Sequence, residues 1–129
     1  LKTVEDIMLT GNKIPFVNEN IKMKNAFKIL SEKKLGILIV RNKLKKVTGI
    51  ITDGQVRRFS QKNTDFQMLP VKNIMTKKPL AIDKDELAAK ALSIMNNNKI
   101  TSLIVINKKN PLVAIGVVHV HNILQANIA

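Results

Sequence analysis

The sequence predicts a mixed α+β (α/β) fold: two βαββα repeats packed as a pseudo-two-fold pair, with small sheets flanked by helices. Three observations predict it. The chain carries one ordered pattern twice, helix for helix and strand for strand, so that Met8 answers Met75, Ala26 answers Ala91 and Gly49 answers Gly116. Each copy ends in an apolar strand that runs straight into a helix through polar residues. These elbows are Gly49-Ile50-Ile51-Thr52-Asp53-Gly54-Gln55-Val56 and Gly116-Val117-Val118-His119-Val120-His121-Asn122-Ile123. A single copy has too little surface to bury its own sheet faces, so two copies are expected to share a core. On that packing the elbows are expected in symmetry-related clefts between the halves.

The elements follow in order. Residues 4–8 read as one helical turn that Gly11 ends, and Asn12-Lys13 lead into the extended piece Ile14-Pro15-Phe16-Val17. Asn18 or Asn20 is expected to cap the next helix by accepting a backbone N–H. Met23, Ala26, Phe27 and Leu30 recur at the i, i+3, i+4, i+7 spacing of one buried face, and Lys33-Lys34 suit the negative end of the helix dipole. Residues 35–40 read as a continuous apolar strand, 42–46 as a polar turn and 47–52 as a second strand. A helix begins over 53–59. Residues 60–69 are polar without a clear period and read as a connector, which Pro70 closes.

The pattern then restarts. Val71-Lys72-Asn73-Ile74-Met75-Thr76 repeats Val4-Glu5-Asp6-Ile7-Met8-Leu9, and Pro79-Leu80-Ala81-Ile82 repeats the first strand. Asp83 or Asp85 is expected to cap a helix whose buried face is Ala88, Ala91, Leu92 and Met95. Lys99-Ile100-Thr101-Ser102-Leu103-Ile104-Val105 matches residues 34–40. The two helices stand slightly closer together in sequence than the two leaders or the two elbows do, so insertions and deletions fall in turns. The predicted organisation is repeat 1 at 1–60, a linker at 61–70 and repeat 2 at 71–129.

Composition narrows the function. There is no cysteine, so neither a disulfide framework nor a thiolate metal site is available. The longest apolar runs, at 35–40 and 112–118, are far too short to cross a bilayer, and no signal-peptide pattern opens the sequence. A soluble, cytoplasmic protein without membrane partners is expected. The first residue is Leu1 rather than methionine, which reads as a piece of something longer. The formal net charge of +13 raises nucleic acid as a partner. Against it, the basic residues come as scattered pairs, and there is no Trp or Tyr and only four Phe to stack on bases. A solvated basic surface is the better reading.

The residues resemble a tandem pair of CBS (cystathionine-β-synthase-type) domains. The resemblance rests on Asp6-Ile7-Met8, the helix with Ala26, the strand pair, and Gly49-Ile50-Ile51-Thr52 with a polar residue three positions after the Thr. It is closer to the C-terminal CBS pair of arabinose-5-phosphate isomerases, sugar isomerases of lipopolysaccharide (Kdo) synthesis. Asp6-Ile7-Met8-Leu9-Thr10-Gly11 with Ile14-Pro15, Ile51-Thr52-Asp53-Gly54 with Arg57-Arg58, Ile100-Thr101-Ser102, and His119-Val120-His121-Asn122 carry it. The resemblance implies an N-terminal sugar-isomerase domain in the parent chain, homodimerisation through CBS pairs, and a nucleotide or nucleotide-sugar effector such as CMP-Kdo. It implies no catalysis by these residues and no cofactor. The implied ligand-binding positions are Thr10, Pro15, Thr52, Asp53, Gln55, Arg57, Pro79, Thr101, Ser102, His119, His121 and Asn122. Gln55 and Asn122 depart from the family pattern, being amides where a ribose-gripping carboxylate is usual. An amide still bonds a diol but lacks the charge-assisted bond.

Each candidate also has a plainer role. Thr52 and Asp53 can hold a ligand hydroxyl or cap the following helix. One of Arg57 and Arg58 can reach a phosphate, leaving the other solvated. Thr101 and Ser102 open a buried strand, so their hydroxyls need partners. His119 and His121 point to opposite sides if the chain is still extended there, which argues against a two-histidine metal site. No Ser-His-Asp set, glycine-rich phosphate loop or pair of catalytic carboxylates is found. The alternatives to effector sensing are a purely structural dimerisation module with vestigial clefts, and nucleic-acid binding through the basic surface.

Overall fold

Ile37 to Arg41 is β-branched or leucine at every position but the last, and such a run suits a strand buried on both faces. In the computed structural model, which describes residues 1–62 and 65–126, it is the middle strand of a three-stranded sheet. β1 (Phe16–Asn18) pairs parallel to β2 (Ile37–Arg41), with Phe16 opposite Ile39. β3 (Val47–Thr52) pairs antiparallel to β2, with Thr52 opposite Ile37. The second sheet repeats this order. β4 (Ala81–Asp83) runs parallel to β5 (Ser102–Asn107), and β6 (Asn110–His119) runs antiparallel to it, with His119 opposite Ser102.

The helices are α1 (Val4–Ile7), α2 (Met23–Lys33), α3 (Asp53–Lys62), α4 (Ala88–Asn98) and α5 (Val120–Gln125). α2 and α4 both end on a lysine in the left-handed region, Lys34 at φ 58° and Lys99 at φ 55°, which turns the chain into the next strand. The chain divides into two compact units, Pro15–Pro79 and Leu1–Ile14 with Leu80–Ala129. We call them the continuous unit and the split unit. The repeat as a stretch of sequence and the unit as a packed body are therefore offset by one leader segment.

The continuous unit packs Met23, Ala26 and Leu30 of α2 on Leu38, Val40 and Ile51 of its sheet, with Phe66, Val71 and Ile74 completing the core. The split unit packs Ala91 and Met95 on Leu103, Val105 and Val118, and Val4 of its leader closes that core. Burying one of the valine, leucine, isoleucine, methionine or phenylalanine side chains among these contributes about 1.5–3 kcal/mol.

Each leader is stitched to the last strand of its own unit. Ile50 and Thr76 exchange two backbone bonds of 2.9 Å, and Leu9 and Val117 exchange bonds of 2.8 and 3.1 Å. The approach is close enough to need glycine. A Cβ on Gly49 would lie 2.7 Å from the Thr76 oxygen, and one on Gly116 would lie 2.9 Å from the Leu9 oxygen and against Met8 Sδ.

Several expectations are corrected. Phe27 is 49% exposed, so the buried face of α2 is Met23, Ala26 and Leu30. Neither Asn18 nor Asn20 caps α2. The cap position is Lys22, without a side-chain bond, and Asn18 Oδ1 accepts from the Asn20 N–H to make a turn of its own. Neither Asp83 nor Asp85 caps α4, whose cap position is Leu87. Asp83 instead accepts from the Asp85 and Lys108 N–H groups at 3.0 and 2.7 Å. The supposed connector holds the last turn of α3, through Lys62, and a 3₁₀ turn at Phe66–Met68 whose Phe66 is buried. Its positions 63 and 64, like 127–129 of the second repeat, lie outside the described residues.

Candidate functional site

At both strand-to-helix joints the N–H of the last strand residue donates to the amide side chain three residues on. At the first, the Thr52 N–H donates to Gln55 Oε1 at 2.9 Å and the Gln55 N–H donates to Thr52 Oγ1 at 3.2 Å. This is a reciprocal capping box, which satisfies two donors the helix would otherwise leave open. The Thr52 hydroxyl also donates to Gln55 Oε1 at 3.3 Å. The other end of the Gln55 amide donates to Thr76 Oγ1 at 2.6 Å and to the Ile74 carbonyl at 3.4 Å. Gln55 thus ties elbow to leader, and both ends of its amide are occupied.

Asp53 is exposed, and its N–H donates to the Gly36 carbonyl at 3.2 Å. Arg57 is exposed, and its carbonyl accepts from the Ser60 hydroxyl at 2.9 Å. Beside the elbow lies an open depression of about 200 Å³, lined by Gln55, Arg58, Phe59, Lys62 and Ile74. Arg58 rather than Arg57 therefore faces it. Phe59 and Lys62 were not among the sequence candidates. The pattern that finds them is simple: 55, 58, 59 and 62 are the i, i+3, i+4, i+7 face of α3.

At the second joint the His119 N–H donates to Asn122 Oδ1 at 2.7 Å, and His119 Nδ1 accepts from the His121 N–H at 3.1 Å. The Val120 N–H donates to the Thr101 carbonyl at 2.9 Å. Ser102 is buried and Thr101 exposed. The structure thus gathers Thr101, Ser102, His119, His121 and Asn122. A second depression, about 490 Å³, is lined by Lys2, Ile7, Asn122, Gln125 and Ala126. In the register that pairs Gly49 with Gly116, Ile7, Asn122, Gln125 and Ala126 are the counterparts of Ile74, Gln55, Arg58 and Phe59.

The histidines do not point apart. Their rings meet edge to face with centroids 4.5 Å apart, because His119 ends β6 and the chain turns helical at Val120. Strand alternation stops where the strand does. His119 is 9% exposed, and its pKa is held below the ordinary 6.5, first by burial and then by the His121 imidazole. Among the described residues no group of three or more histidine, cysteine or carboxylate side chains gathers as a metal site, and no helix is long and apolar enough to cross a membrane.

The remaining candidates sit apart from the joints. Thr10 follows the Leu9–Val117 bridge, and antiparallel pairing carries it toward Gly116, away from His119. Pro15 is buried and its carbonyl accepts from the Ile39 N–H at 2.8 Å. Pro79 is half-buried at the end of the continuous unit.

The model of the CBS domain matches this chain twice, at residues 4–62 and 71–128. The chain belongs to the CBS domain family. As a CBS pair it is 34% identical over 128 residues to arabinose 5-phosphate isomerase KdsD of Salmonella typhi. That similarity covers 99% of this chain and 38% of the relative. KdsD of Escherichia coli K12 is 32% identical over the same shares. Among solved structures, CBSX2 in complex with AMP superposes with a TM-score of 0.82 at 20% identity, covering 99% of this chain and 97% of that one. The CBS domain pair of protein MJ0100, in complex with 5′-methylthioadenosine and S-adenosyl-L-methionine, gives 0.82 at 21% identity over 98% and 96%. At these identities the superpositions establish the fold: two three-stranded sheets flanked by helices in CBS-pair topology.

Proposed function

We propose that this CBS pair is the effector-sensing module of an arabinose 5-phosphate isomerase and does no chemistry itself. An anionic nucleotide or nucleotide-sugar binds at the elbows, stabilises one state of the pair, and so biases a linked isomerase domain. The observation that carries this reading is the twice-built elbow, Thr52 with Gln55 and His119 with Asn122, in a chain 34% identical to the KdsD isomerase. Two sets of surroundings support an anion. Arg57, Arg58 and Lys62 stand on the helix after the first elbow, and Lys2 lines the depression at the second. The adenosine-containing ligands of two fold neighbours support a nucleoside-type ligand, and the AMP of one of them supports a nucleotide. CMP-Kdo is the candidate that an isomerase of Kdo synthesis suggests, as a feedback end product. The module works in the cytoplasm as a homodimer.

One observation favours a second reading, a structural dimerisation module with vestigial sites. Gln55 already spends both ends of its amide on Thr52, Thr76 and Ile74. A ribose diol must displace those bonds without the charge that a carboxylate brings.

Isothermal titration and thermal shift with AMP, ATP, CTP and CMP-Kdo decide between them. Effector sensing predicts a rise in melting temperature for at least one nucleotide at millimolar concentration, as ligand linkage requires. Silence from all four, with light scattering that reports a stable dimer, gives the structural reading.

A further inference from the structure

Both elbows carry a capping box, but the acceptors differ and so do the amides they hold: Thr52 takes the N–H three residues on, His119 the N–H two residues on. In the continuous unit the acceptor is a hydroxyl oxygen, Thr52 Oγ1, which does not titrate. In the split unit it is an imidazole nitrogen, His119 Nδ1, holding the His121 N–H at 3.1 Å. A ring nitrogen accepts a hydrogen bond only while it carries no proton. The bond therefore requires neutral His119 with its hydrogen on Nε2. The same residue anchors the rest of the joint. Its N–H donates to Asn122 Oδ1 at 2.7 Å, and the Val120 N–H beside it donates to the Thr101 carbonyl at 2.9 Å.

The surroundings oppose a charge on this ring. His119 is one of two buried polar residues among those described, and the His121 ring stands 4.5 Å away at 64°. Facing it across the sheet is Ser102, which is uncharged. On the leader, Asp6 accepts from the Thr3 N–H, Glu5 pairs with Lys84 at 3.7 Å, and Lys2 adds positive charge beside Asn122. On α4, Lys90 pairs with Glu86 at 3.2 Å, and Lys99, exposed, closes the helix two residues before Thr101 and brings positive charge, not a counter-charge. His121 is thus the titratable neighbour, and no described carboxylate in this set offers His119 a counter-charge.

We propose that His119 is a proton-operated latch on the elbow of the split unit. Neutral, it ties down the first turn of α5. Protonated, it repels the His121 N–H it had held, so this elbow loosens in mild acid while the Thr52 elbow stays shut. The direction follows from linkage. The folded pKa lies below the ordinary 6.5, so the unfolded chain takes the proton more readily. The stability His119 contributes is complete above that value and is lost as pH falls from it through the folded pKa.

The test follows amide protection and the His119 ring proton by NMR on the chain, from about pH 8 to about pH 5. The expected result is a protection factor at the His121 amide that drops about tenfold per pH unit across the window between the unfolded and folded pKa values. Protection at the Gln55 amide should stay level. His119→Thr replaces the titratable acceptor with a hydroxyl and should abolish the drop. An acid-linked loss that persists in His119→Thr overturns the latch, as does a parallel loss at His121 and Gln55. If the variant does not fold, the wild-type comparison of the two amides decides. A His119 ring that titrates at or above 6.5 also overturns it.

Discussion

Gly49 and Gly116 set how closely each leader lies on its strand. A methyl group on Gly49 would sit 2.7 Å from both the Thr76 carbonyl oxygen and Met75 Sδ. The thioether can swing aside. The carbonyl cannot, because Thr76 and Ile50 hold each other through two backbone bonds. Gly49→Ala and Gly116→Ala are each expected to cost about 1–3 kcal/mol, the usual range for overpacking a tight site. Urea unfolding checks this, and an unchanged midpoint would mean the leader slides freely. These glycines were legible in the sequence as markers of the repeat, since each opens its elbow at the same point. What they make room for was not, because the leader that approaches Gly49 lies across the repeat boundary. The histidines were legible as residues of the second elbow but not in their geometry. Alternation would hold for His119-Val120-His121 only in a strand, and the strand stops at the first of the three.

Helices α2 and α4 begin without a side-chain cap. The sequence offers Asn18, Asn20, Asp83 and Asp85 just upstream, all residue types that cap helices, and Asn18 and Asp83 are spent instead on the turns that close β1 and β4. Residue type was legible, while the use each acceptor finds depends on where the strand ends. Lys22 already has the extended backbone of a cap position, φ −75° and ψ 149°, and is exposed. Lys22→Ser is therefore expected to stabilise the chain by about 0.5–2 kcal/mol by accepting a first-turn N–H. It also removes a positive charge from the positive end of the helix dipole. A thermal midpoint that does not rise would mean the first turn of α2 is already satisfied. The apolar periods of α2 and α4 predict both helices correctly because burial imposes them, yet the 3.6-residue rule over-extends the first face to Phe27. At the other end of the repeat, Phe66 is hidden in a polar stretch. One buried ring in a short 3₁₀ turn leaves no period to detect. The face of α3 that brings Arg58, Phe59 and Lys62 beside Gln55 is present in the spacing. It emerges in full only when the helix is carried past Phe59 to Lys62, into what reads as a polar connector.

At the scale of the whole molecule, the duplicated order of strands and helices was legible because it is written twice. Which leader packs with which body was not, because the two leaders carry the same Ile-Met pair and either would satisfy the pattern. The consequence is testable by truncation. Residues 15–79 hold a complete sheet and a core from Val17 and Met23 through Phe66, Val71 and Ile74. A fragment ending at 60 loses those last three. A fragment of 71–129 loses Val4, which is fully buried, together with Ile7 and Met8, which pack on the core of the split unit. Domains of about 55–65 residues are near the lower limit for independent folding, so the loss of several core side chains at about 1.5–3 kcal/mol each is decisive. The expectation is that 15–79 melts cooperatively on its own, whereas 1–60 and 71–129 do not. Adding a peptide of residues 1–14 to 71–129 should restore a cooperative transition with a midpoint that rises with peptide concentration. Circular dichroism at increasing temperature reads all four samples. A cooperative melt of 1–60 alongside an unfolded 15–79 would sink the assignment, since it would mean that each leader folds onto the body that follows it.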